Sequence, residues 1–332
     1  MHKSLSALVL LFGGICTEAH SQANTASVVP VSLETRLSAP FEFVVYGDTR
    51  FTDPNDTKAS SPTVRRMLVQ AIDDAHPAFI SITGDISYNG NDPNDWKVWD
   101  EETTQWRNDK IPLYPALGNH DLHGDVNTAL GNYFARFPEL NGSRYYSVRA
   151  ANTLTLVLDS SLDELSGPQG SWLSHELGTM PADVDFVLVI LHHPPYTSSS
   201  DAKQYGGGHS ARMQEGKLAE MLEARQQVMH ARIVVFAGHV HNYERHEHGG
   251  ITYFVTGGGG AHAYPIERAS GDPYQSNELN YHYLFARVEK STLTVVMNRL
   301  DMSSGKPVWS QPDRIEIAAP ARVPAVSTAG TP

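Results

Sequence analysis

The sequence contains one cysteine, Cys16, among 332 residues. A single cysteine excludes both a disulfide-stapled scaffold and a metal site built from thiolates. Basic residues are also scarce, since 25 Lys and Arg stand against 37 Asp and Glu and leave a net charge of −12. An acidic surface argues against nucleic acid or an anionic membrane as a general partner. The composition, 40% hydrophobic and 19% charged, nevertheless predicts a globular protein with a substantial core.

The sequence offers no apolar run long enough to cross a membrane. The run at residues 5–16 (LSALVLLFGGIC) follows His2 and Lys3, and a bilayer span needs roughly 20 apolar residues. Together with the small residues at 21–23, it predicts a secretory signal peptide over residues 1–23 and export to a periplasm or beyond the cell. Ile15 stands where a lipid-attachment signal would have a small residue, so Cys16 should not be lipidated.

Apolar runs that indicate buried strands alternate with helical patterns from residue 41 onward. The predicted strands are residues 41–46, 78–83, 111–117, 185–191 and 233–237, and the predicted helices are residues 63–74 and 217–228. This alternation is typical of an α/β protein. Residues 145–159 and 282–298 resemble antiparallel hairpins, so the sheets should be mixed. We expect a linker at 24–40, a main domain at 41–312 and a disordered Pro/Ala-rich tail at 313–332.

A short polar motif follows each of the five predicted strands. In chain order the motifs are GDTR (47–50), GDISY (84–88), GNHD (118–121), HHPPY (192–196) and GHVH (238–241). Ligand sites of α/β sheets lie beyond the carboxyl ends of the strands. If the strands are neighbours, the five motifs converge on one rim.

The motifs supply two carboxylates, one amide and three imidazoles, which suit Zn, Fe or Mn. This set is too large for one tetrahedral ion. Two metals roughly 3.5–4 Å apart need a shared ligand, and the carboxylate of Asp85 can serve both. His239 and His241 are two residues apart, so in an extended segment they lie on one side and can each face one metal.

The order GD, GDxxY, GNHD, HxP and GHxH resembles the calcineurin-like metallophosphoesterase superfamily. The tyrosine of GDISY and the sequence GHVHNYER are similar to its purple acid phosphatase branch. The resemblance implies a four-layer αββα sandwich with two mixed central sheets and a dinuclear centre at the strand ends. It implies that the first metal, Fe(III), is bound by Asp48, Tyr88 and His241. The second, Fe, Zn or Mn, would be bound by Asn119, His192 and His239, with Asp85 as the bridge.

Arg50 departs from the family pattern, which has His or Gly two residues after the first Asp. Arginine carries only donors and cannot replace a ligand imidazole, so Tyr88 must complete the first site. If the segment is extended, Arg50 lies on the side of Asp48 and could hold a substrate phosphate. The alternative is an ion pair with a local carboxylate, such as Asp53 or Asp56.

A dinuclear site suggests in-line attack on phosphorus by a metal-bound hydroxide. His120, beside Asn119, is the candidate general acid, and Asp121 is expected to orient it; the resemblance assigns the same role to this histidine. His193 is expected to contact substrate or to donate a hydrogen bond behind the ligands rather than bind metal. His209 follows a Gly-rich segment, so it is expected on a flexible loop that could close over substrate.

These features predict an exported phosphatase that acts on small phosphomonoesters. A phosphodiesterase for nucleotide or phospholipid-derived diesters is the alternative, because both reactions use the same metals and ligands. A binding protein that only retains the fold is a third reading, disfavoured because every ligand position is filled. The acidic surface should repel highly charged polyphosphates.

Overall fold

Two β-sheets position the motifs in the computed structural model, which describes residues 29–199, 209–276 and 278–321. These residues form fourteen strands, which in chain order are β1 (Ser32–Thr35), β2 (Phe41–Tyr46), β3 (Ile80–Ile82), β4 (Leu113–Pro115), β5 (Tyr146–Ala150), β6 (Thr153–Val157), β7 (Phe186–Ile190), β8 (Arg232–Ala237), β9 (Tyr243–His248), β10 (Ile251–Thr256), β11 (Tyr281–Glu289), β12 (Thr292–Asp301), β13 (Val308–Ser310) and β14 (Arg314–Ala318). The β2 sheet has the order β13-β12-β11-β2-β3-β4, with β14 also paired to β12. The β7 sheet has the order β1-β5-β6-β7-β8-β10-β9. Both sheets are mixed.

Helices cover the outer faces of the two sheets. They are α1 (Pro62–Asp74), α2 (Pro93–Glu102), α3 (Thr104–Asn108), α4 (Val126–Arg136), α5 (Gly167–Gly178) and α6 (Met213–Gln226). Strand β7 lies between two hydrophobic cores, and its successive side chains point alternately into one and the other. Phe186, Leu188 and Ile190 pack with the β2 sheet, whereas Val187 and Val189 pack with apolar residues of α5 and α6. This alternation follows from the period-2 geometry of a strand, and it produces the four-layer αββα sandwich. No helix in the described part of the chain is long and apolar enough to cross a membrane.

The sequence prediction of mixed α/β architecture is confirmed. Strand β2 has the predicted bounds, and the other four predicted strands are present with ends shifted by at most two residues. Both predicted hairpins exist, as the antiparallel pairs β5–β6 and β11–β12. Helix α1 begins after Ser61, whose side chain accepts a hydrogen bond from Val64 N, and Pro62 occupies its first turn.

The predicted domain limits are wrong at both ends of the main domain. The linker expected at 24–40 contains β1, which pairs in parallel with β5. The tail expected to be disordered from residue 313 contains β14, which pairs antiparallel with β12 over five residues. The strands of the two sheets therefore begin at residue 32 and end at residue 318. The predicted signal peptide at 1–23 lies outside the described residues.

Candidate metal centre

The five motifs lie together at the carboxyl ends of five strands. Strands β2, β3 and β4 are parallel neighbours in one sheet, and β7 and β8 are parallel neighbours in the other. These strands are followed in chain order by Asp48, Asp85, Asn119, His192 and the pair His239 and His241. The backbone N–H of His239 donates to Asp48 Oδ2 at 2.9 Å and so joins the ends of the two sheets. The predicted convergence is therefore present, although it uses two sheets rather than one.

Tight backbone turns place these side chains in the rim. Asp48, Asp85 and His239 have φ angles of 57°, 53° and 70°, in a left-handed region that costs an L-residue roughly 1–2 kcal/mol. Adjacent glycines provide the room. A Cβ on Gly118 would lie 2.3 Å from Asp85 Oδ1, and one on Gly238 would lie 2.5 Å from Asp48 Oδ2. No larger residue fits at either glycine without moving a carboxylate.

Asp48, Asp85 and His241 form what we call the carboxylate half of the centre, and their ligand atoms lie within 4.8 Å of one another. His241 Nδ1 donates to the carbonyl of His262 at 3.1 Å, so Nε2 carries the lone pair. That nitrogen lies 3.6 Å from Asp48 Oδ1, and neither atom has a hydrogen-bond partner among the described residues. Two buried acceptors that face each other in this way fit a cation between them.

Burial sets the charges in the carboxylate half. It raises the pKa of Asp48 well above its usual range, with help from neighbouring Asp85. It lowers the pKa of His241 well below normal, so that ring is neutral. Burial also raises the pKa of Asp85, but the charge interactions with His192 and Arg50 outweigh it and the pKa is lowered. A cation between Asp48 and His241 would let Asp48 ionise as well.

The imidazole half consists of Asn119, His192, His193 and His239. The ligand atoms of its three histidines lie within 4.8 Å of one another, and all three are buried. Asn119 Oδ1 lies 3.0 Å from His192 Nε2 and 3.1 Å from His239 Nδ1. His192 Nδ1 donates to the carbonyl of Thr83 at 2.9 Å, and burial lowers the pKa of the ring, so Nε2 is an acceptor. Its lone pair therefore faces the lone pairs of Asn119, which also fits a metal ion.

Asp85 lies between the two halves. Its Oδ1 is 3.4 Å from His192 Nε2 and accepts the backbone N–H of His120 at 2.9 Å. Its Oδ2 faces Arg50. A carboxylate that belongs to one group of ligands and touches the other is suited to bridge two ions.

Arg50 is bound to the predicted bridging residue. Its Nε and Nη2 donate to Asp85 Oδ2 at 3.3 and 3.2 Å. The expected local ion pair is wrong, because Asp53 and Asp56 accept backbone N–H groups of their own turns. The premise of an extended segment is also wrong, since Arg50 has a φ of 46°. The guanidinium thus lies at the centre, where a phosphate contact stays a prediction.

His120 is oriented by Tyr88 rather than by Asp121. Its Nδ1 donates to the Tyr88 carbonyl at 2.7 Å, which leaves Nε2 available. Burial lowers the pKa of His120 to about 4. The Asp121 carboxylate instead accepts N–H groups of Ile86, Ser87 and Gly118 at 2.9–3.0 Å and ties the β3 and β4 ends together. The expectation that Asp121 orients the His120 ring is therefore wrong.

Tyr88, the other predicted ligand, differs from the rest in its exposure. Its ring stacks on His120 with centroids 5.3 Å apart and is 37% exposed, whereas Asp48 and Asp85 are fully buried. Tyr88 thus packs on the His120 ring and is partly open to solvent. Its role as a metal ligand stays a prediction.

His193, which belongs to the imidazole half, and His209 both pack against the ring of His239. The His193 ring packs 4.4 Å from the His239 ring, and its Nδ1 lies 2.8 Å from Ser160 Oγ. Its ligand atom is grouped with those of His192 and His239, whereas the sequence prediction is a contact with substrate or a hydrogen bond behind the ligands. The His209 ring lies 5.0 Å from His239 and 5.3 Å from Tyr264. The loop expected to close over substrate falls on residues 200–208, outside the described residues.

Tyr264 and Ser160 are site residues that the sequence did not reveal. The Tyr264 hydroxyl accepts the backbone N–H of His241 at 3.2 Å, and Ser160 accepts the N–H of His193 at 3.1 Å. Neither stands in a motif that carries ligands. Only their proximity in the fold identifies them.

Known proteins resemble this chain in sequence and in fold. The family model for calcineurin-like phosphoesterases matches residues 41–243. The chain is 27% identical to a phosphoenolpyruvate phosphatase of Allium cepa, and the matched region covers 59% of this chain and 41% of the relative. It is 26% identical to an Fe(3+)-Zn(2+) purple acid phosphatase of Arabidopsis thaliana, over 66% of this chain and 46% of the relative. The chain therefore spans less than half the length of these curated relatives.

Solved structures show the same architecture. The purple acid phosphatase PPD1 from yellow lupin seeds has a TM-score of 0.59 at 17% identity, covering 85% of this chain and 54% of that chain. GAP50, the anchor in the inner membrane complex of Plasmodium, has a TM-score of 0.60 at 15% identity, covering 85% and 90%. A phosphatase and an anchor share these sheets, so the activity must be argued from the site.

Proposed function

The chain belongs to the calcineurin-like phosphoesterase family and to its purple acid phosphatase-like branch, and we propose that it is a dinuclear-metal phosphatase that hydrolyses phosphomonoesters. One observation carries this proposal. Asp48 Oδ1 and His241 Nε2 lie buried 3.6 Å apart without a hydrogen-bond partner among the described residues, and His192 Nε2 lies 3.0 Å from Asn119 Oδ1. Such an arrangement serves two cations and is costly without them.

We propose that each half of the centre binds one metal ion. Asp48 and His241, with Tyr88, would hold the first ion, and Asn119, His192 and His239 the second, with Asp85 between them. When bound, the ions supply Lewis acidity that activates water and offsets the charge of the phosphate oxygens. The hydrogen bonds from His192 Nδ1 to Thr83 and from His241 Nδ1 to His262 keep both Nε2 lone pairs aimed inward.

His120 is proposed as the general acid. Its Nδ1 proton is committed to the Tyr88 carbonyl, so Nε2 is the atom that can deliver a proton to the leaving oxygen. The ring is neutral at pH 7 in the free site. The negative charge of a bound phosphate would favour its protonation.

Arg50 and His209 are proposed to hold the phosphate. The Arg50 side chain is 14% exposed and has further N–H groups beyond the two that Asp85 accepts. The His209 ring lies against those of His239 and His241. Both Arg50 and His209 line the same cavity, where they could contact one phosphate.

For the metals, we propose Fe(III) in the carboxylate half and Fe, Zn or Mn in the imidazole half. Two anionic oxygens favour an ion of higher charge, and neutral imidazoles favour a divalent one. An Fe(3+)-Zn(2+) relative is consistent with that pair. Metal analysis of the purified protein would test it. A visible absorption band that Tyr88→Phe removes would support both the iron and its tyrosinate ligand, whereas its persistence would contradict Tyr88 as ligand.

We also propose that the protein is exported. The basic start, apolar run and small residues of positions 1–23 support a cleavable signal. N-terminal sequencing of protein from the exported fraction should give a start within two residues of position 24. An intact N-terminus would contradict the proposal.

The function is tested by hydrolysis of an aryl phosphate monoester and the matching diester across pH, with metal-replete protein. A monoester preference that disappears in His192→Ala would support the phosphatase. A diester preference would promote the phosphodiesterase alternative. No hydrolysis of either ester, with metal bound, would favour a binding protein that retains the fold.

A further inference from the structure

We propose that a cavity beside the metal centre binds an uncharged, ring-sized leaving group of the substrate ester. We call it the leaving-group cavity, and its walls include Arg50, His209, His241, Tyr264, Pro265 and Leu279. The inference rests on the proposed function, because it assigns the substrate class of that same site. The selected substrates are monoesters of neutral organic alcohols rather than sugar bisphosphates, polyphosphates or esters of charged alcohols.

The position of the cavity connects it to the reaction. His241 belongs to the carboxylate half and Arg50 contacts the bridging Asp85, yet both also line the cavity. A phosphate held at the metals therefore leaves its ester oxygen's substituent at the mouth of this space. The volume is about 500 Å³, within the roughly 300–1,000 Å³ of pockets that bury small organic ligands.

The chemistry of the walls selects a neutral group. Beyond the metal end the walls are His262, Ala263, Tyr264, Pro265 and Leu279. No Lys, Asp or Glu is among the described residues of the lining, and its one guanidinium, Arg50, pairs with Asp85 and is proposed to hold the reacting phosphate. A second anionic group on the substrate would lose water there without gaining a permanent counter-charge, which is unfavourable.

Hydrogen bonds hold the walls in place. His262 Nε2 donates to the Thr57 carbonyl at 2.6 Å, and the His262 carbonyl accepts from His241 Nδ1. The Tyr264 hydroxyl accepts the backbone N–H of His241 at 3.2 Å. The cavity is thus fixed to a metal ligand through two of its own wall residues, and a substrate does not have to order it.

The experiment compares benzyl phosphate with ethyl phosphate, because both leaving groups are primary alcohols and differ mainly in the ring. For the wild type we expect kcat/KM to be about tenfold or more higher for benzyl phosphate, chiefly through KM. 4-Carboxybenzyl phosphate carries a charge on the same ring and should lose most of that advantage.

Leu279→Asp supplies the structural test, because Leu279 is 48% exposed at the cavity and the change adds a charge there. It should reduce the benzyl-to-ethyl ratio of kcat/KM to about one-tenth. Leu165→Asp is the matched control, since Leu165 is 37% exposed and precedes α5, outside the lining. That variant should keep the wild-type ratio.

Equal KM values for benzyl and ethyl phosphate in the wild type would overturn the inference, and so would equal ratios in the two aspartate variants. Either result leaves the phosphatase intact, because both esters are still hydrolysed. Failure of the proposed function has a different outcome: neither ester would be hydrolysed by the metal-replete protein. The two failures are therefore distinguishable.

Discussion

The two halves of the metal centre differ in charge although they share a border at Asp85. The carboxylate half offers two acidic side chains and one neutral imidazole, while the imidazole half offers only neutral donors. Burial favours the uncharged form of the side chains in both halves. It makes the acids of the carboxylate half costly to ionise, and it keeps the histidines of the imidazole half unprotonated, so that they can donate lone pairs. The difference teaches that neighbouring strand ends can place an acidic and a neutral set of candidate ligands side by side.

The largest effect is expected from a change at Asp85, because this residue contacts both halves. Asp85→Asn should lose both metals and lower kcat/KM by more than the roughly 10²–10³-fold lost with a single stabilising donor in an active site. Metal content and turnover are measured together. If both survive, Asp85 does not bridge, and the centre is assigned wrongly.

Removing one ligand from each half should separate the two ions. Asp48→Asn should empty the carboxylate half and His192→Ala the imidazole half, so each variant should keep about one ion of a different element. Elemental analysis after dialysis gives the answer, with the wild type as reference. The same residual element in both variants would show that the halves do not differ in preference.

Arg50→Gln tests whether the guanidinium beside Asp85 holds substrate or only neutralises the Asp85 carboxylate. A lost charged hydrogen bond to phosphate should raise KM for a monoester about tenfold or more, with little change in kcat. Arg66→Gln is the control, because Arg66 is exposed and pairs with Glu102. Unchanged KM with tighter metal binding would instead assign Arg50 to Asp85 alone.

His193→Gln asks whether the third histidine of the imidazole half binds metal. Loss of a supporting residue should weaken metal affinity about 10–100-fold, and loss of a direct ligand should weaken it more. Ser160→Ala, which removes the partner of Nδ1 and the acceptor of the His193 backbone N–H but keeps the imidazole, provides the comparison. Calorimetric Zn²⁺ titration of the metal-free proteins measures both, and wild-type affinity in both variants would exclude His193 from the centre.

The smallest effect is expected behind the imidazole half, where Arg212 binds the Ser160 carbonyl and Glu215 lies next to Glu164. Burial raises the Glu164 pKa to about 8. In the unfolded chain this acid ionises near its ordinary pKa of about 4.5, whereas in the folded protein it stays protonated up to about pH 8. The stability of the folded protein therefore falls as pH rises from about 4.5 to about 8. Glu164→Gln should remove this loss and raise Tm at pH 9 by roughly 2–4 °C. The exposed Glu220→Gln should change neither Tm nor its slope with pH.

The sequence predicted the centre better than the edges of the fold. The motifs stood beside buried strands whose apolar runs are unmistakable, such as β2 and β7. Strand β1 (SLET) is short, half-exposed and pairs with β5 more than 100 residues away, so nothing local marked it. Strand β14 carried a signal that was overlooked, because Ile315 and Ile317 alternate with charged residues.

The errors within the site have a common physical cause. Arg50 and Asp121 were placed by their position in the sequence, whereas left-handed turns and hydrogen bonds from other strand ends decide where they lie. Tyr264 and Ser160 could not be found at all, because a hydroxyl that supports a ligand's backbone carries no pattern of its own.

The order of synthesis makes the centre a late product of the chain. Asp48 is made 193 residues before His241 (241 − 48), an interval of roughly 10–40 s at ordinary rates of translation. Strand β2 then waits longer still for β11, its neighbour on the side away from β3. A ribosome-bound fragment that ends between residues 242 and 280 thus contains every proposed ligand but only part of the sheet that holds Asp48 and Asp85. Metal capture should follow release of the full chain, and a truncated nascent chain should not acquire the ions.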